Sequence, residues 1–222
     1  MSDEKLGNTN CCLDQKTFYL CCQLFLHHSS VLGDGWSWRE IKGVEGYMKK
    51  TVLVPGRLGS LLSQHGQHKT EEYIDIVTEE DQVDNVDGGT CSVCESQAVV
   101  HYEYHVLYSC SYQAPVLYFR ASSMDGRSLS FEEVWNNVHP NYRQRLLQGP
   151  WDTLTQQEHP LLGQPFFMLH PCRTEEFIRP ILQMAHSEKR RVNYILAWLS
   201  VVGPVVGLDI PLSYSTAVTA PD

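Results

Sequence analysis

Apolar positions recur along this chain with two periods, and each change of period marks an element. Between Asp14 and Gly33, the residues Phe18, Cys21, Phe25, His28 and Leu32 return every three or four positions, the stripe of one buried helix face. Asp14 is placed to cap that helix and Gly33 to stop it. Trp36-Ser37-Trp38 then alternates, and Tyr47 to Val54 is rich in strand formers, so two strands follow. The strongest alternation puts Val100, Tyr102, Tyr104, Val106, Tyr108, Cys110 and Tyr112 on one face. Val99, His101, Glu103, His105, Leu107 and Ser109 fall on the other. Gln113-Ala114-Pro115 turns this strand into the run from Val116 to Ala121, giving a long antiparallel hairpin.

Ser130 and Glu133 form a capping box that opens a short helix through Trp135 to Val138. Phe166 to Leu169, bounded by Pro165 and His170-Pro171, suits a short buried strand. Thr174 is a candidate N-cap, with Glu175 and Glu176 in the first turn of the following helix. Phe177, Ile181, Leu182 and Met184 support that helix, in which Pro180 must fall early or act as a break. A second, nearly all-apolar helix runs from Val192 to Val202. Helix, strands, hairpin, short helix, strand, bend and two helices predict an α+β fold, an antiparallel sheet with flanking helices.

At 222 residues the chain suits a single domain. Within it, residues 56–95 break both periods: they are rich in Gly, Ser, Gln, His and acidic side chains and predict a mobile insertion. Residues 215–222 predict a fraying tail. The net charge is −9, and no Lys or Arg stands between Lys69 and Arg120, which excludes the basic footprint of a nucleic-acid binder. The polar N-terminus has no secretory apolar segment, so the eight cysteines read as reduced thiols of a cytoplasmic protein. The longest apolar run, Tyr194 to Leu208, is broken by Gly203-Pro204. It falls short of the roughly 20 residues that span a bilayer, so it reads as core and no transmembrane segment is expected.

Most of the cysteines and histidines lack a ligand pattern. Cys11-Cys12 and Cys21-Cys22 are neighbours whose side chains diverge on a helix, and His27 and His28 fit a surface and a stripe position. Cys91 and Cys94 form a single pair with no second pair nearby, and Cys110 falls on a strand position typical of packing. No metal site is expected. Cys172 differs, standing on a bend between a short strand and a helix start. There, backbone N–H groups and Arg173 favour a thiolate while Glu175 and Glu176 oppose it. The tyrosine face of the hairpin, with Tyr104, Tyr108 and Tyr112, either lines a partner-binding surface or is a sheet face half covered by helices. Two further readings of Cys172 are open: a Cys-His hydrolase with His105, His159 or His170 as base, and a non-catalytic scaffold.

Longer words in the sequence carry a resemblance. Tyr102 to Ser109, Pro115 to Phe119, Leu146 to Thr153, Thr155-Gln156-Gln157-Glu158-His159-Pro160, Leu161 to Cys172 and Val202 to Leu208 closely resemble the ubiquitin-like-conjugating enzymes of autophagy. The resemblance extends from about Trp36 to Tyr214 and implies a divergent ubiquitin-conjugating enzyme fold. It implies that the Cys of His170-Pro171-Cys172 carries a ubiquitin-like modifier, autophagy-related protein twelve, as a thioester. The modifier would come from an activating enzyme, autophagy-related protein seven, and pass to a lysine of autophagy-related protein five. ATP would be consumed upstream, so no cofactor is implied. Ordinary members of the wider fold carry His-Pro-Asn just before the Cys; here His139-Pro140-Asn141 ends 31 residues ahead of Cys172. Another group must therefore aid the oxyanion, and His159, Gln156, Gln157 and His170 are the polar candidates.

Overall fold

The computed structural model describes residues 12–41, 45–56, 98–138, 140, 142 and 154–217. Helix α1, Gln15–Leu32, starts where Asp14 accepts the Thr17 N–H at 2.9 Å. It stops where Gly33 takes a left-handed φ of 67° that a side chain would disfavour. Its buried residues are Phe18, Cys21, Cys22, Phe25 and Ser29. The expected stripe through His28 and Leu32 averages 3.5 residues per turn and drifts off the 3.6-residue helix. Leu32 is accordingly exposed, and His28 is half-buried against the edge of Tyr214.

Six strands follow: β1 Ser37–Ile41, β2 Glu45–Gly56, β3 Ala98–Ser109, β4 Ala114–Ser123, β5 Leu154–Glu158 and β6 Pro165–Leu169. They form one antiparallel sheet in the order β1-β2-β3-β4-β6-β5. The expected β3–β4 hairpin forms as an antiparallel pair, but its turn is residues 110–113 and not Gln113-Ala114-Pro115: β3 stops at Ser109, and Ala114 and Pro115 already pair with Ser109 and Tyr108 as part of β4. Strand β5 escapes sequence reading. It lies at the sheet edge and only Leu154 is buried, so its Gln156-Gln157-Glu158 segment shows no apolar alternation.

Between β4 and β5 lies α2, Phe131–Asn137, whose Ser130–Glu133 capping box is formed in both directions. After β6 come a 3₁₀ turn at Pro171–Arg173, then α3 Thr174–Ser187, α4 Tyr194–Val202, a 3₁₀ turn at Gly203–Val206 and α5 Ser213–Ala217. Helix α3 continues through Pro180, with Ile178 and Ala185 buried and Phe177 and Met184 exposed. Gly203 is required by packing, since a Cβ there would lie 2.6 Å from the Leu208 carbonyl. Residues 215–217, the start of the expected fraying tail, belong to α5 behind the fully buried Tyr214. Residues 57–97, covering nearly all of the expected insertion, and 218–222 lie outside the described residues, as do Cys11, Cys91, Cys94, His139, Asn141 and 146–153.

The helices bury one sheet face. Val100, Tyr102, Tyr104 and Val106 of β3 join Phe18, Cys22 and Phe25 of α1 and Ile195, Trp198 and Leu199 of α4 in the main core. The tyrosine face is therefore chiefly interior. Tyr104 is fully buried and donates to the Val206 carbonyl at 2.7 Å, and Tyr108 is half-buried and donates to that of Leu13 at 2.6 Å. A phenol makes a good core residue when its hydroxyl finds such a partner. A second, smaller cluster on the opposite face gathers Tyr47, Leu107, Val116, Tyr118, Phe166 and Met168.

The C-terminal helix is held by a polar staple. Asp34 accepts from Ser29 Oγ, from Lys50 Nζ at 3.1 Å and from Tyr214 Oη at 2.9 Å. Burial opposes the Asp34 charge, but these three donors outweigh it and hold the carboxyl below its usual range. Asp34→Ala strands a Lys50 side chain that is only 8% exposed. It is expected to lower stability by about 3 kcal/mol, and Tyr214→Phe by about 1 kcal/mol, both read from urea unfolding. An equal effect of the two variants would show that the staple acts through packing alone.

Candidate active site

Cys172 is exposed in the short 3₁₀ turn that joins the buried strand β6 to α3. Strand β6 ends at Leu169, and Pro171 in the first position of the turn has no N–H to lose. The turn is capped by His170, whose Nδ1 accepts the Cys172 N–H at 3.1 Å. Thr174, expected to be the cap, is instead the buried first residue of α3. With Nδ1 an acceptor, a neutral His170 carries its proton on Nε2, and that atom lies 3.1 Å from the Tyr112 hydroxyl. The rings of Tyr112 and His170 also meet edge to face at 5.3 Å. Tyr112 does not continue the β3 alternation: the strand ends at Ser109, and Cys110 and Tyr112 sit exposed in the turn to β4. A hairpin turn thus supports the bend that carries Cys172.

Beside this bend, a hollow of about 290 Å³ is walled by Tyr112, Gln157, Pro160 and His170-Pro171, over a floor of Val116 and Met168. Among the oxyanion candidates, the structure brings Gln157 and His170 to this hollow. Gln156 stands on the neighbouring exposed position of the edge strand, and its side chain belongs to the other sheet face. Of the three tyrosines expected at a partner surface, Tyr112 and Tyr108 line the hollow, while Tyr104 is buried in the core and takes no part. Cys21 and Cys22 are buried, and burial pushes both thiols up; Cys12 and Cys110, like Cys172, are exposed.

His159 is not an accessible group. It is fully buried on the sheet face opposite the main core, among Tyr47, Tyr118 and Phe166, against a His105 that is also fully buried. The His159 Nδ1 accepts the N–H groups of Leu161 and Leu162, each at 3.3 Å. Its Nε2 must then carry the proton and donate to His105 Nδ1 at 3.0 Å. His105 Nε2 comes within 2.9 Å of a Glu103 carboxylate oxygen. Glu103 is also met by Lys49 and Arg120, each at 3.0 Å. Burial opposes the Glu103 charge, yet the bonds from His105, Lys49 and Arg120 prevail and hold the carboxyl far below its ordinary range. Burial lowers His105, and burial together with the neighbouring His105 lowers His159 to about 4.

This chain pins the β5–β6 turn onto the sheet. The turn is closed by His159 N–H to the Gln164 carbonyl at 2.8 Å and by Gly163 N–H to the His159 carbonyl at 2.9 Å, with Gly163 at a φ of 64°. Sequence reasoning could name His159 and His105 as chemically interesting, but not their pairing across 54 positions.

Comparison with known proteins places this architecture. The family described as "Autophagocytosis associated protein, active-site domain" matches residues 17–213. The human "Ubiquitin-like-conjugating enzyme ATG10" is 50% identical over 92% of this chain and 93% of its own length. The Arabidopsis thaliana protein of the same name is 34% identical over 80% of this chain and 82% of its own. A solved structure titled "Crystal structure of Autophagic E2, Atg10" covers 87% of this chain and 97% of that one at 16% identity. Its TM-score of 0.38 is an overlap too low to bear on the fold. The sequence matches run through the strand, the capped bend and the helices that frame Cys172, and by them the chain belongs to the autophagocytosis-associated active-site family, as an E2-like conjugating enzyme of the ATG10 group.

Proposed function

We propose that Cys172 carries a ubiquitin-like modifier as a thioester and passes it to a lysine. The supporting observation is an exposed thiol on a capped bend, next to an open hollow, in a chain of this family. The Cys172 thiolate attacks the modifier's terminal carbonyl on the activating enzyme, an S–C bond forms, and the activating enzyme's thiolate leaves. A lysine amine of the acceptor then attacks the same carbon. The amine loses a proton, the Cys172 thiolate departs, and an isopeptide bond remains. Sulfur suits both steps, being nucleophilic near neutral pH and a good leaving group. Tyr112 and His170 hold the bend that presents the sulfur, and the role of meeting developing negative charge is assigned to Gln157, an uncharged amide that lines the adjoining hollow. The modifier, activating enzyme and acceptor are assigned as autophagy-related proteins twelve, seven and five.

A Cys-His hydrolase is less well supported. Both ring nitrogens of His170 are engaged, by the Cys172 amide and by Tyr112, while His105 and His159 are buried against each other. Incubation with modifier, activating enzyme and ATP, followed by a non-reducing gel, separates the readings. A reductant-sensitive adduct is the expected result. Free cleavage product would favour hydrolysis, and a complex without an adduct would favour a scaffold.

A further inference from the structure

Cys110 is a thiol that the conjugation chemistry leaves unused, and the fold sets it beside the thiol that chemistry needs. Strands β3 and β6 run the same way, each antiparallel to β4, and Val106, Leu117 and Leu169 share one row across the three. Cys110 leaves the sheet four residues beyond Val106 and Cys172 three residues beyond Leu169, at the same end. Both are exposed. Their two segments touch, with the Tyr112 hydroxyl 3.1 Å from His170 Nε2, and each cysteine stands two residues from that contact. Cys110 and His170-Pro171 also line the same hollow of about 290 Å³. We propose that Cys110 is a resolving thiol: it captures an oxidised Cys172 as a reversible Cys110–Cys172 disulfide and so makes conjugation sensitive to peroxide. The effect on conjugation rests on the thioester role above, whereas the disulfide itself does not.

The oxidant is hydrogen peroxide. The Cys172 thiolate attacks one peroxide oxygen, the O–O bond breaks, and hydroxide leaves; the sulfur, oxidised by two electrons, is now a sulfenic acid. The Cys110 thiolate then attacks that sulfur, the S–S bond forms, and a second hydroxide leaves. Two protons from the original thiols turn both hydroxides into water, so two thiols and one peroxide give one disulfide and two waters. A dithiol reductant reverses the bond by exchange. Without a resolving thiol, the sulfenic acid proceeds to sulfinic acid, which thiols do not reduce.

Two inter-strand spacings set the rows of β3 and β6 about 10 Å apart, and a disulfide needs Cα atoms within about 7 Å. The difference of about 3 Å falls on two exposed segments, the turn of residues 110–113 and the 3₁₀ turn at Pro171–Arg173, with the open hollow between them. Closing the bond narrows the hollow and occupies the sulfur together. Cys12 is the rival partner, because Leu13 N–H donates to the Gln113 carbonyl at 2.8 Å and brings it to the same turn, outside the lining of the hollow. Cys21 and Cys22 are buried and out of reach of peroxide.

The test treats the full chain with stoichiometric hydrogen peroxide, blocks remaining thiols with iodoacetamide and maps linked peptides by mass spectrometry. A Cys110–Cys172 link within the monomer, lost on reduction, is the expected result. Charging with modifier, activating enzyme and ATP should fall with the appearance of that link and return with dithiothreitol. Cys110→Ser should charge like the wild type before oxidation. After peroxide and then dithiothreitol it should recover about tenfold less charging, with Cys172 found as sulfinic acid. Cys172 linked to Cys12 or to any other cysteine, or a Cys110→Ser chain that loses and regains charging as the wild type does, would overturn the role of Cys110. A reduced wild-type chain that forms the link on oxidation but never charges would overturn the thioester role and leave the disulfide standing.

Discussion

Cys172→Ala abolishes both the thioester and acceptor conjugation, with no surviving adduct at any enzyme concentration, while the urea midpoint stays at the wild-type value. That outcome is expected because the side chain is exposed in a turn held by the His170 cap and by Pro171, neither of which uses the sulfur. An exposed substitution of this kind changes stability by no more than about 0.5 kcal/mol. Cys172→Ser should instead accumulate the modifier as an oxyester, since an alkoxide leaves less readily than a thiolate. The trapped adduct should resist thiol reductant and yield to hydroxylamine. Cys12 and Cys110 are exposed as well, so the result is informative. An adduct that persists in Cys172→Ala and disappears when Cys110 or Cys12 is replaced would move the site to the β3–β4 end of the chain.

The buried His105–His159 pair predicts a loss of stability in mild acid. In the unfolded chain His159 titrates near 6.5; in the fold, burial and His105 hold it to about 4. Above pH 6.5 both states are neutral and the group adds no pH dependence. As pH falls from 6.5 toward 4 the unfolded chain takes up a proton that the native state refuses, so stability falls with pH across that window. At about 1.4 kcal/mol per unit the loss is on the order of 3 kcal/mol, with His105, also lowered, acting in the same direction. Glu103 acts in a lower window. Its native carboxyl is depressed, so its stabilisation is complete above the unfolded value of 4.5 and is lost only as pH falls further. Urea midpoints measured at pH 7, 6, 5 and 4 should decline for the wild type. In His159→Gln the decline should be much shallower, from a lower starting stability. An unchanged slope in that variant would show that the pair is not the titrating element.

Local patterns made much of the architecture readable. Asp14 and Gly33 bound α1 as their chemistry requires, Ser130 and Glu133 close both halves of a capping box, and β3 and β4 pair as an antiparallel hairpin. Each depends on neighbours within a few positions, or on a period that one strand or helix contains in full. The bend at Cys172 was readable for the same reason, lying between an apolar run and a helix start. Reading failed where the deciding partner is distant. Tyr104 alternates like a surface tyrosine, but the carbonyl that satisfies its hydroxyl belongs to Val206, 102 positions away. Tyr112 seemed to share its face, but the strand stops at Ser109 and turns Tyr112 toward His170, 58 positions away. His159 read as a group that could serve catalysis, until His105 and three aromatic rings enclosed it. Element type and the bend that carries Cys172 follow from short-range backbone preference and periodicity. Which sheet face the helices cover, and therefore which polar groups are left to meet a partner, follows from burial and hydrogen-bond satisfaction between segments that no local pattern relates.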